Sequence, residues 1–185
     1  MGSFAVIDTE TNWSDEVMSI GVTAADAETL RCIGSKYYVL TPEFRRGGMY
    51  EDALSLAPKE YSALCTREEA MAALAAWLRT LGVSRLFAYN ACFDCGHLPE
   101  LSFLPWYDIM RVAAYRQRNP RIPRTAECCS TGRLRRRYGV EPMLQLLTCD
   151  CGYRETHNAL FDARDELRIM QLIGVPICAY DCARL

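Results

Sequence analysis

Apolar runs separated by short polar turns fill the first 40 residues, a pattern typical of β-strands. Residues 3–9 (Ser-Phe-Ala-Val-Ile-Asp-Thr) are almost continuously apolar, which predicts a central strand buried on both faces. Two further strands are predicted near residues 17–24 and 30–40, with the turn-like residues 24–28 between them. Because the three runs follow one another closely, we expect an antiparallel meander.

Helix and strand signals alternate along the remainder of the chain. Thr66 and Glu69 have the spacing of a capping box, which predicts a helix that starts after Thr66 and stops near Gly82. The other predicted elements are a strand over 85–89, a helix over 91–101 capped by Asn90, a strand ending at 106–107, a helix capped by Asp108, a helix over 127–138, and a helix over 158–173 ended by Gly174. Three antiparallel strands followed by alternating helices and strands predict an α/β fold with a mixed five-stranded sheet flanked by helices.

Length and composition fit one such domain, spanning residues 1–185. The chain is 50% hydrophobic and 24% charged, as in soluble globular proteins. Its longest apolar stretch, residues 169–180, contains Gln171 and Pro176 and is too short to span a membrane. The first residues lack the basic and apolar regions of a signal peptide, so we expect a cytoplasmic protein with no membrane partner.

The formal net charge of −2 conceals a strongly basic segment. Residues 111–140 contain nine arginines against one acidic residue, whereas residues 1–110 contain 15 acidic residues against eight basic ones. Arginine is suited to bidentate contacts with phosphate, so the segment fits a nucleic-acid backbone. The alternative is a solvated face that balances the acidic remainder of the chain.

Ten cysteines are many for a chain without a signal peptide, where disulfides are not expected. Cys92 and Cys95 form a C-x-x-C, which allows redox or zinc chemistry. A four-thiolate zinc site is a second option. Its ligands would be Cys128, Cys129, Cys149 and Cys151. Neither group has the paired C-x-x-C pattern of a zinc module, and free cysteine is also a common small buried residue.

Two carboxylates interrupt the end of the first buried strand. Asp8 and Glu10 are two residues apart, so they share a face with Phe4 and Val6, and their Cα atoms would lie about 6.6 Å apart. Two like charges on a covered face are unfavourable unless a positive charge lies between them, and hard divalent cations prefer oxygen ligands. The pair therefore predicts a metal site, unless the strand has simply reached solvent here.

More acidic residues occur near the starts of predicted helices. Asp162 and Glu166 lie one turn apart at the edge of the apolar stripe of the last helix, and Asp94 follows the strand over 85–89 by about one helical turn. A carboxylate at the rim of a buried stripe needs a partner, which a metal shared with Asp8 would supply. Taken singly, each acid is also compatible with a surface or capping role.

The chain has only two histidines, and they differ in their surroundings. His157 precedes the last helix by one residue and Asp162 by five, which places it at the helix mouth or in the loop. An imidazole titrates near neutral pH, so His157 is a candidate general base for deprotonating water; the alternative is a helix-terminal histidine without chemistry. His97 has no acidic neighbour at a useful spacing, and we interpret it as structural or surface-exposed.

Three segments resemble, in order, the motifs of the DnaQ-like, or DEDD, 3′–5′ exonucleases. Phe-Ala-Val-Ile-Asp-Thr-Glu-Thr at 4–11 resembles the first motif, Asn-Ala-Cys-Phe-Asp at 90–94 the second, and His-Asn-Ala-Leu-Phe-Asp-Ala at 157–163 the third. The tyrosine branch of the family has a Tyr four residues before the last Asp. Here that position is Asn158, so the chain resembles the histidine (DEDDh) branch, over about residues 4–173.

The resemblance implies a ribonuclease H-like fold and a metal-dependent 3′–5′ exonuclease that acts on the 3′ end of single-stranded DNA or RNA. It implies that two Mg²⁺ or Mn²⁺ ions are held, with Asp8 bridging them, and that His157 is the general base. The implied ligands are Asp8, Glu10, Asp94 and Asp162. Some relatives form dimers, so a homodimer is a further expectation.

The chain departs from the family just after the first motif, where Thr11-Asn12-Trp13 replaces the usual Thr-Gly pair. That region helps to hold the terminal nucleotide in the family, so the departure bears on substrate preference. Trp13 and Phe93 are candidates for stacking on a terminal base, with a loop anchor and a core residue as the alternatives. The predicted substrate contacts are Thr9, Thr11, Trp13, Asn90, Phe93, Arg133 and Arg136. Two other function classes stay open: a non-catalytic nucleic-acid-binding module on the same fold, and a zinc-binding regulator that uses the cysteines.

Overall fold

One six-stranded mixed sheet organises the computed structural model, which describes residues 2–185. The strands are β1 (Ser3–Thr11), β2 (Val17–Asp26), β3 (Cys32–Leu40), β4 (Ser62–Cys65), β5 (Val83–Ala88) and β6 (Trp106–Asp108). The α-helices are α1 (Arg67–Thr80), α2 (Cys92–His97), α3 (Met110–Ala113), α4 (Val140–Thr148) and α5 (Ala159–Ile173). Short 3₁₀ turns cover Glu43–Arg46, Glu51–Leu56, Lys59–Tyr61, Pro99–Leu101 and Ile177–Ala183.

The strand order across the sheet is β4-β3-β2-β1-β5-β6. β1, β2 and β3 pair antiparallel, and β5 and β6 continue the sheet in parallel with β1, which confirms the predicted mixed sheet of ribonuclease H-like type. The expectation of five strands is wrong by one, because β4 adds a parallel edge strand beside β3. β4 has only four residues and follows the Pro- and Gly-containing stretch 41–61, so no run of alternating residues predicted it.

β1 is buried on both faces, as its continuous apolar run predicts. Phe4 and Val6 pack on the side of α4 and α5, whereas Ala5 and Ile7 pack against α1 on the other side. The sheet is therefore the middle layer between two helical layers. β1 lies between β2 and β5, so side chains at its carboxyl end lie near the centre of one sheet edge.

A close backbone contact fixes α5 against the sheet. Gly21 of β2 lies opposite Asp8 of β1, and a Cβ built on Gly21 would lie 2.0 Å from the backbone carbonyl of Ala159. Only glycine leaves room for this approach. The first turn of α5 therefore lies directly over the end of β1, which brings Asp162 towards Asp8 although 154 residues separate them in the chain.

The predicted helix ends agree with the structure at both long helices. The Thr66 side chain accepts from the Glu69 amide and Glu69 Oε2 accepts from the Thr66 amide at 2.9 Å, forming the predicted capping box of α1. At α5, Asn158 is the N-cap and Gly174 ends the helix in the left-handed region with φ 70°. None of the helices in the described residues is long and apolar enough to cross a membrane.

The arginine-rich segment differs most from prediction. The expected helix over 127–138 is wrong: the segment is irregular, with left-handed residues at Gly132 (φ 83°) and Arg137 (φ 58°), and isolated bridges hold it, among them Cys128 to Leu134. These residues lack the apolar periodicity that would give a helix a face to bury. The sequence also gave no signal for α4, a short helix with a proline in its first turn.

The helix predicted over 91–101 is shorter than expected. α2 ends at His97, and Pro99 begins a separate 3₁₀ turn because a proline cannot continue the hydrogen-bond ladder. Asn90 does not cap α2; it is left-handed with φ 63° and immediately follows Tyr89 in the turn after β5. The Asp108 side chain does accept a hydrogen bond at the start of α3, as predicted: its Oδ1 accepts from the Met110 amide at 2.9 Å.

Candidate active site

Three elements bring the four predicted acids to one edge of the sheet. Asp8 and Glu10 lie at the carboxyl end of β1, Asp94 in the first turn of α2, and Asp162 in the first turn of α5. Asp94 and Asp162 are only 2% and 3% exposed, which is unusual for carboxylates. Thr9 Oγ1 donates to Asp94 Oδ1 at 2.8 Å, so β1 holds α2 directly.

These carboxylates raise one another's pKa. The pKa of Asp8 lies well above its usual value because of burial and then because of the charges of Asp94, Glu166, Asp162 and Glu10. Burial, followed by the charges of Glu155 and then Asp94, raises the pKa of Glu10 to about 8. Four carboxylates therefore repel Asp8 at close range, and the ionised set requires nearby positive charge.

The pKa values of the two acids that lie on helices, Asp162 and Asp94, are raised as well. Burial raises the pKa of Asp162 to about 8, with Glu155 and Glu10 adding to it. Burial also raises the pKa of Asp94 to about 7, although the hydrogen bond from Thr9 works in the opposite direction. No basic residue is among the main contributions to the pKa shifts of Asp8, Glu10 and Asp162.

Two carboxylate oxygens at this site have no hydrogen-bond partner within residues 2–185. They are Asp8 Oδ2 and Asp162 Oδ1, and both are shielded from solvent. Glu10, His157 and Asp162 each direct a ligand atom to within 4.8 Å of the others. Buried oxygens without partners and unneutralised negative charge fit divalent cations, which take hard oxygen ligands.

Glu166 and Asp108 hold the turn that carries Asp94. Glu166 Oε2 accepts from the Tyr89 amide at 3.0 Å, and Asp108 Oδ1 accepts from the Asn90 amide at 3.1 Å. Glu166, expected at the edge of the α5 stripe with a metal as partner, is instead 1% exposed and bound to a backbone amide. Both contacts are long-range, so sequence spacing gave no signal for them.

His157 lies in the loop just before α5, as its spacing predicts. It adopts a left-handed backbone conformation with φ 55° and is half-buried. Its ring stacks on Tyr50 with centroids 4.0 Å apart and planes 13° apart. Burial lowers the pKa of His157, which favours the neutral imidazole. Tyr50 comes from the irregular stretch between β3 and β4, where no sequence pattern predicted a site residue.

A further acid that the sequence reasoning missed, Glu155, lies beside Glu10 and Asp162. After burial, its charge is the largest contribution to the raised pKa of each of those two residues, and burial raises the pKa of Glu155 itself to about 7. Its amide donates to Glu141 Oε2 of α4 at 3.1 Å. Glu155 is two residues before His157, and this proximity was the one available signal.

Trp13 and Phe93 have the exposure that base stacking requires. Trp13 is 69% exposed just beyond the end of β1, and Phe93 is 41% exposed directly before Asp94. His97 connects their neighbourhoods: its ring lies 4.3 Å from that of Phe93, and its Nε2 lies 3.1 Å from Asp15 Oδ1 in the loop after β1. The two aromatic side chains therefore belong to neighbouring segments at the rim of the carboxylate cluster.

The polar substrate candidates occupy different environments. Thr9 is 5% exposed and bonded to Asp94, so it positions a carboxylate rather than facing solvent. Thr11 is half-buried at a register shift between β1 and β2. Asn90 is exposed in the left-handed turn after β5.

The arginines divide into two groups. Some hold their own segment together by donating to backbone carbonyls, as Arg118 does to Arg111. Others point outward: Arg136 is exposed and pairs with Glu127 at 3.0 Å, beside a cavity of about 530 Å³ that it helps to line. Arg133 lies over the Tyr138 ring at 4.8 Å and is half-buried.

The cysteines do not assemble a metal site. All ten are free thiols. In the part of the chain that the structure describes, Glu10, His157 and Asp162 form the one group of three or more potential ligands close enough to share an ion. The zinc site considered for Cys128, Cys129, Cys149 and Cys151 is therefore not formed there.

Solved structures with the same architecture are exonucleases. The chain is similar to Exonuclease X in complex with 5′ overhanging duplex DNA, with a TM-score of 0.59 and 17% identity over 99% of both chains. It is similar to the nuclease domain of 3′hExo, a DEDDh family member bound to rAMP, with a TM-score of 0.62 and 18% identity over 93% of this chain and 92% of that one. The protein has the DnaQ-like exonuclease fold.

Further comparisons define the extent of this likeness. E. coli Exonuclease I in complex with a dT13 oligonucleotide has a TM-score of 0.60 and 12% identity, over 95% of this chain and 42% of the other. No protein-family model matches the chain, and no curated protein matches it. The DnaQ-like fold thus rests on three-dimensional similarity across nearly the whole chain.

Proposed function

We propose that the protein is a metal-dependent 3′–5′ exonuclease that removes nucleotides from the 3′ end of single-stranded DNA or RNA. The observation that carries the proposal is the cluster of mutually repelling carboxylates, with unpartnered oxygens on Asp8 and Asp162, beside the half-buried His157. A module that only binds nucleic acid has no need to hold such groups together against their repulsion. The exonuclease structures with the same fold support this choice.

Asp8, Glu10, Asp94 and Asp162 would hold two Mg²⁺ or Mn²⁺ ions. When bound, the ions would supply charge stabilisation for the phosphate and the leaving oxygen. His157 would accept a proton from the attacking water at a ring nitrogen, and its lowered pKa keeps it in the neutral form that can do so. The water oxygen bonds to phosphorus as the bond to the 3′ oxygen of the preceding nucleotide breaks. The terminal nucleotide leaves as a nucleoside 5′-monophosphate, and the shortened strand keeps that 3′ oxygen, which takes up a proton from solvent.

Recognition of a strand end would rely on stacking more than on base reading. Trp13 and Phe93 expose aromatic faces beside the carboxylates, and stacking on such faces tolerates any base. Thr11 and Asn90 lie nearby, and the exposed arginines, Arg136 among them, would attract the strand backbone. All ten cysteines being free suits the cytoplasm, the compartment that we propose.

A digestion panel tests the proposal directly. Single-stranded and double-stranded DNA and RNA, labelled at the 5′ end, are incubated with Mg²⁺ or Mn²⁺ and with EDTA. A 3′–5′ exonuclease leaves a ladder of shortened labelled products, whereas a 5′–3′ enzyme releases the label at once. Asp94→Asn should abolish the ladder.

The two histidines provide a matched pair for the same assay. His157→Ala should lower the rate by about 10²–10⁴-fold, the range for a general base. His97→Ala removes an imidazole whose nitrogens contact Asp15 and the Phe93 carbonyl, so its effect should be much smaller and should appear in KM rather than in kcat. A His157→Ala protein as active as the wild type would remove the histidine from the mechanism. Binding without hydrolysis would favour the non-catalytic module.

A further inference from the structure

Within residues 2–185, Tyr50 is the one aromatic side chain that stacks face to face on His157. The ring centroids are 4.0 Å apart and the planes are within 13° of parallel. Both residues are half-buried. Charges on Glu10, Glu155 and Asp162 add to burial in raising the pKa of Tyr50, which agrees with a position above the carboxylates.

The segment that carries Tyr50 is tied down on both sides of this residue. Before it, Trp13 donates its amide to the Gly47 carbonyl at 3.1 Å, and a Cβ on Gly48 would lie 2.9 Å from the Thr11 carbonyl oxygen. After it, Asn158 Nδ2 donates to the Ala53 carbonyl at 2.7 Å. The anchors are therefore the continuation of β1 and the residue next to His157.

His157 needs such a support. It lies in a loop with a left-handed backbone, and no hydrogen bond to either ring nitrogen is present among residues 2–185. Rotation about its side-chain bonds would otherwise carry the ring away from Glu10 and Asp162, to which a ring nitrogen now lies within 4.8 Å. A stacked neighbour restricts that rotation without occupying either nitrogen.

We infer that Tyr50 is a positioning residue, whose ring holds the His157 imidazole in the plane from which it can reach a water at the carboxylate cluster. The inference rests on the proposed function for its kinetic consequence, but the stack itself can be measured without any activity. The face of the Tyr50 ring makes the contact, so we expect the Tyr50 hydroxyl to be dispensable.

Nuclear magnetic resonance tests the contact in solution. Because the chain has two histidines, the imidazole region contains two sets of signals, which His97→Gln and His157→Gln assign. The stack predicts an upfield ring-current shift of the His157 ring protons that persists in Tyr50→Phe and disappears in Tyr50→Leu. The His97 signals should not move, because that ring contacts Phe93. An unshifted His157 in the wild type would overturn the inference.

Kinetics test the consequence. Tyr50→Leu should lower kcat on the order of 10-fold to 100-fold with little change in KM, because a misplaced base affects the chemical step more than binding. Tyr50→Phe, which keeps the aromatic ring, should retain the kcat of the wild type. Tyr61→Leu is the matched control: Tyr61 follows in the same irregular stretch but lies under Arg164, with 4.7 Å between the guanidinium and the ring.

A double substitution separates a positioning role from a purely structural one. In a His157→Ala background, Tyr50→Leu should have no further effect, because its target ring is gone. An additional loss there, or a loss that appears in KM alone, would mean that Tyr50 acts on the substrate or the fold, and would overturn the inference. A chain that hydrolyses no nucleic acid under any condition refutes the proposed function, while the resonance shift still decides the stack.

Discussion

Replacing Asp162 by Asn should make the metal-free protein more stable rather than less. Asp162 Oδ1 is buried without a partner in the described residues, and burial, Glu155 and Glu10 raise the pKa of this carboxyl from 3.8 to about 8. A folded-state pKa above the unfolded value means that the folded state binds the proton more tightly. The contribution of this carboxyl to the free energy of unfolding is then fully present below about pH 4 and is lost as the pH rises towards 8. The amide keeps the shape and removes the charge.

The size of the effect follows from the shift. At about 1.36 kcal/mol for each pKa unit, the rise of the Asp162 pKa from 3.8 to about 8 corresponds to a loss of at most about 5–6 kcal/mol in the free energy of unfolding at pH 8. The neighbouring carboxyls share the repulsion and relax by taking up protons, so we expect about 2 kcal/mol from one substitution. For a chain of 185 residues this is a rise in Tm of about 4–8 °C.

Thermal unfolding in EDTA at pH 5 and pH 8 measures this directly. The gain from Asp162→Asn should be large at pH 8 and much smaller at pH 5, whereas Glu28→Gln, at an exposed carboxyl of the β2–β3 turn, should show neither. Added Mg²⁺ should stabilise the wild type but not the variant, because binding to the folded state alone raises Tm. A variant less stable than the wild type in EDTA at pH 8, or a gain independent of pH, would refute the electrostatic account.

Three further predictions concern the surroundings of the site. Gly21→Ala should destabilise the fold by at least about 3 kcal/mol in urea unfolding, because its Cβ would meet the Ala159 backbone at 2.0 Å; a loss under 1 kcal/mol would mean that α5 lies less close. Thr9→Val should lower the free energy of unfolding by about 1–2 kcal/mol through loss of the bond to Asp94, and kcat by the equivalent factor of about 5–30; an unchanged rate would contradict the positioning role. Arg136→Gln should reduce the slope of log KM against log salt by about one if this arginine contacts phosphate, and an identical slope would favour a solvated face.

The parts of the fold that the sequence predicted are those governed by local rules. The apolar run through Val6 gave β1 because a strand covered on both faces admits no alternation. Thr66 and Glu69 gave the start of α1, and Gly174 the end of α5, because caps act over a few residues. The acids were found because charge in an apolar pattern is conspicuous at any distance from its partners.

The missed features depend on contacts between distant segments. Nothing near Tyr50 in the chain indicates that its ring covers His157, 107 residues later. The bond from the Tyr89 amide to Glu166 likewise joins residues 77 apart. The helix predicted over 127–138 is wrong for the opposite reason. Arginines favour helices locally, but the segment has no apolar stripe at helical spacing. It is held instead by single contacts: Leu134 enters the core, and Arg135 donates to the Cys128 carbonyl.

The carboxylates are held together by packing between other residues of the sheet and α5. They repel one another, so the free energy that gathers them must come from apolar contacts elsewhere: Phe4 and Val6 beneath α5, and Ala159 seated on Gly21. Substitutions that lift α5 from the sheet should therefore weaken metal affinity before they unfold the protein, because repulsion spreads the acids as soon as the packing allows. Ala163→Val, within the buried stripe of α5, alters no charge, so a fall in Mg²⁺ affinity in that variant would measure this coupling.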